Sequence, residues 1–429
     1  MAEFYILLLE NFPIFVALLL TNGAVLYFLF RKRISSFFDP IFYMIVITES
    51  FCITDVMFMA LYDIIESRHF VQYMFSELAL FAGILIIPRF EDKYANVEPV
   101  RSEFELLRVL FWLSLFLFLI LNVFIYSVRG IPLLLDNRMA VYQDGGGLGF
   151  ISRVLDVLLV IVFYYLLEVQ RRFGWTWREW VCLGVIALIQ VLSGAKSSVL
   201  TLVFIAALFV FISGPAAEGN EKLMRLIKRI FILAVGGFLL IAQVQVSDVE
   251  VGGRKLSVLD QAALRFINNG DAFLYAYPSN VVDSLDGSGS ISAVLREYVA
   301  FLRVAPPDQI QTHLGLQLTR KFIASDSINQ TNAKHNLFGY MNFGEIGGVI
   351  YSLVLGLIIG LVRETLFKKR AYSWLAGVPY IILNIGFLSA GSDLDNSSRA
   401  VLNVVFVFYP LVLAAYFLSS GARSVEPVR

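Results

Sequence analysis

The sequence has little charge and few of the residues that soluble domains use for chemistry. Of its 429 residues, 16% are Asp, Glu, Lys or Arg, whereas 58% are hydrophobic. A soluble domain carries about 25% charged residues and cannot bury this much apolar surface. The composition therefore excludes an ordinary soluble enzyme and predicts a polytopic membrane protein whose apolar surface faces lipid.

Residue types that define common sites are also scarce. The two cysteines (Cys52, Cys182) and three histidines (His69, His313, His335) are too few and too scattered for a disulfide framework or a structural metal centre. Basic and acidic residues balance at 34 each, which leaves no positive field for nucleic acid. Walker-type, G-x-S-x-G, H-E-x-x-H and C-x-x-C motifs are missing. We therefore predict no metal and no cofactor.

Long apolar runs predict an all-α membrane protein with about eleven transmembrane helices, within a range of ten to twelve. The runs lie near 4–30, 40–64, 71–88, 109–128, 151–169, 178–193, 198–213, 230–246, 337–362, 373–391 and 400–418. The first run has no basic residue before it and no small-residue cleavage site after it, which predicts a retained anchor.

The distribution of basic residues predicts the orientation. With the N-terminus outside, twenty of the 34 lie in inner connections, six lie in short outer ones, and the rest lie in one long outer loop that the rule discounts. We therefore predict an outer N-terminus and an inner C-terminus. The predicted organisation is an N-terminal bundle of about eight helices (1–246, with an outer loop at 129–150), a large outer loop (247–336) and about three C-terminal helices (337–429).

The large outer loop is too long to be a simple link. Within it, residues 259–277 and 291–303 show apolar recurrence at helical spacing. This pattern predicts amphipathic helices that lie in the outer interface.

Basic residues beside outer membrane ends are the first candidate site. Arg129, Arg138 and Lys196 lie there although such positions are usually depleted of positive charge. An arginine fork binds phosphate oxygens bidentately, and lysine acts as a point charge. Glycines at 145–147 and 149 would let backbone N–H groups approach the same anion. The alternative is that these residues hold lipid phosphates or pair with nearby Asp side chains.

His335 is the second candidate, because it follows the long loop at the start of the next apolar run. A histidine takes a proton from a hydroxyl near neutral pH, and Asn336 could orient it. The alternative is an interfacial histidine without a chemical role.

Acidic residues inside apolar runs form the third candidate set. They are Glu49, Asp55, Asp63, Glu77 and Glu345. An intramembrane carboxylate indicates function by default. We expect Asp55, Asp63 and Glu77 to lie towards the outer side and to meet Arg129 or Arg138, either as structural pairs or in a functional role. A proton-coupled transporter would show the same carboxylates.

Asp393 and Asp395 form a D-x-D pair, which can hold a divalent cation and a nucleotide diphosphate. On the predicted topology the pair faces outward, where nucleotide sugars are absent. We therefore expect Arg399 to be its ion-pair partner.

The chain resembles the bacterial O-antigen polymerases (Wzy type) and related oligosaccharide repeat-unit polymerases. The resemblance depends on the layout and on RGIPLLLDNR at 129–138, SGAKSS at 193–198 and HNLFGYMNFGEIGG at 335–348. Arg138 and Gly149 have the arginine–ten residues–glycine spacing of such polymerases, and Arg254 and Gly270 show a looser version. Lys196 departs from the arginine that is frequent in the family. The third segment is also similar to the His-Asn stretch of O-antigen ligases.

The resemblance implies a GT-C-like, metal-independent glycosyltransferase of lipopolysaccharide biosynthesis in the bacterial inner membrane. It would move a glycan from undecaprenyl pyrophosphate onto a sugar hydroxyl of another lipid-linked repeat unit at the periplasmic face. His335 would be the base, oriented by Asn336. The pyrophosphate-binding candidates are Arg129, Arg138, Lys196, Arg254, Arg265 and Arg399. Expected partners are these lipid-linked glycans, membrane lipids, and the chain-length regulator and flippase of the same pathway.

Three alternatives remain open. An O-antigen ligase would use the same donor with lipid A–core as acceptor. A transporter or flippase of lipid-linked oligosaccharide would use the intramembrane carboxylates, although such proteins usually show internal repeats and midplane sites. A non-catalytic scaffold gives no reason for arginines beside outer membrane ends.

Overall fold

The computed structural model describes most of the chain as helix. The described residues are 2–89, 101–135, 148–213, 220–244, 250–251, 254–255, 267–285, 287, 291–306, 309–322, 331–332, 334–370 and 373–423. Within them, the exception to helix and loop is one short antiparallel pair, β1 (Glu250–Val251) with β2 (Arg254–Lys255). The all-α class predicted from composition is confirmed.

The helices follow the predicted apolar runs closely. The N-terminal ones are α1 (Ala2–Glu10), α2 (Phe12–Phe30), a π-helical turn (Phe42–Ile47) that continues into α3 (Thr48–Leu61), and α4 (Ser67–Ile86). Next come α5 (Arg101–Arg129), α6 (Leu148–Arg172), α7 (Trp177–Leu192), α8 (Lys196–Ser213) and α9 (Asn220–Val244). The long loop contains α10 (Asp271–Ala276), α11 (Ile291–Val294), α12 (Arg296–Phe301) and α13 (Leu314–Phe322). The last helices are α14 (His335–Arg370), α15 (Trp374–Ser389), α16 (Asp395–Asn403) and, after a π-helical stretch (Val404–Phe408), α17 (Tyr409–Arg423).

Among the described residues, seven helical segments are long and apolar enough to cross a membrane. They are Phe12–Phe30, Phe42–Leu61, Ser67–Ile86, Glu103–Leu134, Gly149–Arg172, His335–Thr365 and Asp395–Ser419. A transmembrane span needs about 20 apolar residues. The other four predicted runs, which correspond to α7, α8, α9 and α15, are helical but shorter or more charged than this. Helices α7 and α15 have 16 residues each, and α9 begins with a strongly charged first half. A multi-pass membrane protein is supported, and the count of eleven stays a prediction.

The chain forms two compact units that each combine distant stretches of sequence. Unit 1 contains residues 1–89, 247–364 and 386–399, and unit 2 contains residues 90–246, 365–385 and 400–429. The three-part division by sequence order stays a prediction.

Unit 2 is held by aromatic packing and helix-end contacts. The Phe111 and Tyr165 rings of α5 and α6 stack with centroids 4.2 Å apart. The Trp374 indole donates to the carbonyl of Glu103 at 2.9 Å, which ties α15 to the start of α5.

Helix α14 reverses direction at Gly344, so that it consists of two antiparallel arms. Gly344 has φ 74° and ψ −171°, a backbone conformation that is essentially restricted to glycine. A Cβ added to Gly339 in the first arm would lie 2.9 Å from the Cα of Gly348 in the second. His335 and Ser352 also touch, although a continuous helix would separate them by about 25 Å. The reversal brings the polar start of α14 against its own second arm.

The second arm of α14 packs closely on α4. A Cβ at Gly83 would overlap the backbone of Leu353 and Gly356, and a Cβ at Gly356 would overlap that of Leu80. Small residues permit such close approach of helices in membranes, where van der Waals packing replaces the hydrophobic effect.

Two buried ion pairs hold one end of unit 1 together. Arg33, beyond the end of α2, lies 2.9 Å from Glu364, and Arg363 lies 2.7 Å from Asp39. All four side chains are at most 9% exposed. Arg33 also donates to the carbonyls of Leu85 and Ile87 at the end of α4. We call this set the ion-pair clamp, and it joins α2, α4 and α14.

Gly344→Ala should destabilise the protein, because alanine does not readily adopt its backbone conformation. We expect a loss of about 1–3 kcal/mol, measured as a lower unfolding midpoint of the purified protein in detergent. Gly236→Ala is the matched control, since that glycine has an ordinary helical backbone and open space around its Cβ position. The control should be neutral or slightly stabilising. Equal midpoints for the two variants would argue against the strained reversal.

Asp39→Ala should also destabilise the protein strongly, because it removes the carboxylate that compensates the buried Arg363. Breaking a buried pair on one side costs about 3–5 kcal/mol. Glu105→Ala, which removes an exposed partner 3.7 Å from Arg108, should cost about 1 kcal/mol or less. Thermal unfolding in detergent measures both variants. Similar losses at the two sites would contradict the assignment of the clamp as a buried stabilising contact.

Candidate functional site

Three carboxylates, one lysine and one histidine are buried together in unit 1. Glu49 and Asp55 belong to α3, Glu77 belongs to α4, and Lys334 and His335 lie where the first arm of α14 begins. Each of these residues is at most 1% exposed. We call this set the buried cluster. Charged groups are rare in such surroundings because removing them from water is expensive, so they mark a functional site by default.

The hydrogen bonds of His335 determine which of its ring nitrogens carries a proton. The ring Nδ1 lies 2.9 Å from the Ser352 hydroxyl. Ser352 donates its own proton to the carbonyl of Gly348 at 2.9 Å. Since a hydroxyl has a single proton, the Ser352 oxygen accepts from Nδ1–H. The other nitrogen, Nε2, is the one available for proton transfer.

Glu77 faces that second nitrogen. The Oε1 atom of Glu77 lies 3.4 Å from Nε2 of His335 and accepts a hydrogen bond of 2.8 Å from the Asn336 side chain. Asn336 therefore orients the carboxylate, whereas Ser352 orients the imidazole. His335 and Asn336, both predicted from the sequence, are brought together by the structure, and Glu77 joins them.

Lys334 is a member of the cluster that the sequence reasoning missed. Its ammonium lies 3.6 Å from Oε1 of Glu49 and donates to the Ser392 hydroxyl at 3.2 Å. The available signal was a lysine directly before the histidine at a membrane boundary. A lysine at such a boundary usually extends its ammonium to water, so its position in the sequence does not indicate a buried charge.

Asp55 is held against the long loop. A Cβ on Gly270 would overlap the Asp55 carboxylate, so only glycine permits this contact. Close by, the Phe273 ring of α10 packs edge-on to Tyr73 of α4 with centroids 4.9 Å apart. The first part of the predicted amphipathic segment 259–277 lies outside the described residues, and its second part forms a wall of the buried cluster.

The structure corrects the expected surroundings of the acidic residues. Asp63 and Glu345 are exposed on the protein surface, so they do not belong to the buried cluster. Glu77, for which Arg129 or Arg138 was the expected partner, contacts His335 and Asn336. Glu49, for which no partner was predicted, contacts Lys334. The partners come from a distant part of the chain, which local sequence patterns do not reveal.

Two of the pyrophosphate candidates lie at one end of unit 2. Arg129 is the last residue of α5, and Lys196 is the first residue of α8. The Tyr126 hydroxyl donates to the carbonyl of Ile189 at 3.3 Å, which places the ends of α5 and α7 side by side. The backbone therefore brings Arg129 and Lys196 to the same end of the unit.

The structure describes little of the other four pyrophosphate-binding candidates. Arg138 and Arg265 lie outside the described residues, as does the 145–147 glycine cluster, and for Arg254 only the backbone, in β2, is described. Arg399 is exposed on α16. Their role in binding pyrophosphate stays a prediction.

A second polar cluster surrounds the D-x-D pair. Nε2 of His313 lies 3.3 Å from Asp393 and 2.8 Å from Asp395, and Arg296 also pairs with Asp395. Arg399 was the expected ion-pair partner of the D-x-D pair. The close partners of Asp395 are instead His313 and Arg296, which belong to the long loop.

The His313 ring lies between two carboxylates, which favours its charged form. Burial lowers its pKa, but Asp393 and Asp395 more than offset burial and raise the pKa to about 9. Its ligand atom and the two carboxylates lie within 4.8 Å of one another, as a metal site would require. However, the Gly315 N–H points at Nδ1 from 3.2 Å. That contact suits a ring with a bare Nδ1, whereas the imidazolium and a metal on Nε2 both leave a proton on Nδ1, so it does not separate ion pairing from metal binding.

Comparisons with protein families, with curated proteins and with solved structures find no match to this chain.

Lys334 and Glu49 should be coupled energetically. Lys334→Met removes the positive partner of Glu49, and we expect a loss of about 3–5 kcal/mol. Adding Glu49→Gln to that variant should restore part of the loss, because it removes the uncompensated charge. Unfolding midpoints of the wild type, both single variants and the double variant measure the coupling. Additive effects of the two substitutions would contradict the pairing.

Proposed function

We propose that the protein is an O-antigen or oligosaccharide repeat-unit polymerase of the bacterial inner membrane. It would transfer a glycan from undecaprenyl pyrophosphate to a sugar hydroxyl of another lipid-linked repeat unit at the periplasmic face. The supporting observation is the buried histidine with one oriented, available nitrogen. The hydrogen bond from Nδ1–H to Ser352 orients the His335 ring, and this orientation places Nε2 beside the Glu77 carboxylate.

The chemistry of such a transfer needs few groups. A base removes the proton of the acceptor hydroxyl as the new bond forms to the anomeric carbon, and the pyrophosphate leaves with the electrons of the broken bond. The departing charge would be stabilised by cations, for which the basic residues predicted from the sequence are the candidates. Since pyrophosphate is already a good leaving group, the reaction requires no nucleotide. The long-loop wall next to Asp55 would exclude water, which otherwise hydrolyses the donor.

A groove in unit 1 runs along α4, the helix that carries Glu77. It has a volume of about 510 Å³ and runs between α4 and the second arm of α14. Its apolar part includes Phe75 and Ile350, and its polar part includes Gln72. Gln72 donates to Ser76, the neighbour of Glu77, at 3.0 Å. An apolar groove with a polar end fits a lipid-linked substrate.

A transporter or flippase of lipid-linked oligosaccharide is the second candidate. It is favoured by the three buried carboxylates of the cluster, which proton-coupled transport also uses. An O-antigen ligase is the alternative within the enzyme class. Lipopolysaccharide ladders of a deletion strain separate the two enzymes, because single-repeat capping indicates a polymerase and complete loss of capping indicates a ligase.

Purified protein in detergent should form polymer from lipid-linked repeat units, since no transport is possible there. His335→Ala should lower the rate by about 10²–10⁴-fold, the usual contribution of a positioned base. Arg138→Ala should also reduce polymer formation.

Lys32→Ala is the control, since Lys32 is exposed and belongs to a connection predicted to be cytoplasmic. It should leave the rate unchanged. Full activity of His335→Ala would refute the base assignment. No polymer from folded wild-type protein, together with lipid-linked glycan transport in vesicles, would support the transporter.

A further inference from the structure

Without an additional proton in the buried cluster, a lone pair on Nε2 of His335 would face a lone pair on Oε1 of Glu77. Because Nδ1 of His335 already carries the proton donated to Ser352, a neutral ring has a bare Nε2. That nitrogen lies 3.4 Å from Oε1 of Glu77, and both residues are about 1% exposed. An ionised carboxylate opposite a lone pair is repulsive, and the low local dielectric enhances the repulsion.

We propose that Glu77 and His335 bind one proton between them at neutral pH and form a single acid–base unit. With the proton on Nε2, the pair consists of an imidazolium and a carboxylate. The Asn336 amide donates to Oε1 at 2.8 Å and supports that carboxylate form. Oε2 of Glu77 is buried without a hydrogen-bond partner among the described residues, so it is the vacant acceptor of the pair.

The groups around the pair fit this charge distribution. The titratable groups that face it come from α3, from the segment before α14, from α4 and from the residue after α10. They are Glu49, Cys52, Lys334, Tyr73 and Tyr277. The positive charge of Lys334 compensates the negative charge of Glu49, 3.6 Å away. One proton shared by Glu77 and His335 makes that pair neutral as well, so the two pairs together carry no net charge.

The assignment has a consequence for any reaction at this site. With Nε2 occupied by the proton, a substrate hydroxyl would transfer its proton to Oε2 of Glu77, so the base role proposed above for His335 belongs to the Glu77–His335 pair and not to the imidazole alone. The negative charge would pass to the substrate oxygen, and the pair would gain one positive charge. Glu77 would then be the residue that touches substrate, and His335 would keep the Glu77 carboxylate ionised. The proton on the pair is independent of the proposed polymerase activity.

The small number of histidines makes the proton directly observable. Protein labelled with ¹⁵N-histidine in lipid nanodiscs gives signals from three rings, and His69→Gln and His313→Gln assign two of them. For His335 we expect both ring nitrogens to be protonated at neutral pH. In Glu77→Gln, Nε2 should lose its proton at neutral pH.

Glu49→Gln is the matched control, because it removes a carboxylate of the same cluster that pairs with Lys334. Nε2 of His335 should remain protonated in this variant. If Glu77→Gln does not fold, Ser352→Ala provides a second test, since it should alter the Nδ1 signal while the Nε2 proton remains.

Infrared spectra of the wild type and Glu77→Gln detect the alternative position of the same proton. A carboxylic acid band that is lost in Glu77→Gln, with a neutral His335 ring, places the shared proton on Glu77 and also supports the proposal. A bare Nε2 in the wild type without such a band would overturn it. A His335 ring with a bare Nδ1 would overturn it as well. Neither result depends on whether the protein polymerises glycans, so the two proposals can fail separately.

Discussion

The cost of placing charge in a low-dielectric interior is the constraint on which unit 1 depends. A carboxylate or guanidinium that leaves water needs a partner, and here the partners lie on different helices. Arg33 with Glu364 and Arg363 with Asp39 join α2, α4 and α14. The buried cluster joins α3, α4 and the start of α14. The arrangement of these helices is therefore determined by charge compensation as well as by apolar packing.

The reversal of α14 provides the geometry that this compensation requires. A helix that continued straight from His335 would carry the imidazole far from Ser352, and Nδ1 would lose its acceptor. Gly344 permits the reversal, and Gly339 and Gly348 allow the two arms to touch. The long loop supplies the remaining wall, where Gly270 meets Asp55. Backbone features at a few glycines thus position the side chains of the candidate site.

The sequence predicts the all-α membrane class and the helical runs well, because long apolar stretches have one solution in lipid. It also points to His335 and Asn336, since polar residues stand out at a membrane boundary. It does not reveal the reversal at Gly344, because glycine in an apolar helix equally indicates close packing. The contact of Asn336 with Glu77 crosses 259 residues, so local patterns assigned the acidic residues to arginine partners. Lys334 was missed because a lysine at a membrane boundary usually extends its ammonium to water.

Glu77 and its partner Asn336 are far apart in the sequence, so they are synthesised at different times. A ribosome adds about 5–20 residues per second, so Asn336 and its neighbours follow Glu77 after roughly 15–50 s. During that interval α3 and α4 already exist, whereas the cation and imidazole that will neutralise their carboxylates do not. Glu49 and Glu77 must therefore wait either protonated in the bilayer or sheltered by the insertion machinery. Unit 1 is complete only when the first arm of α14 has docked and residues 386–399, which belong to the same unit, have been synthesised.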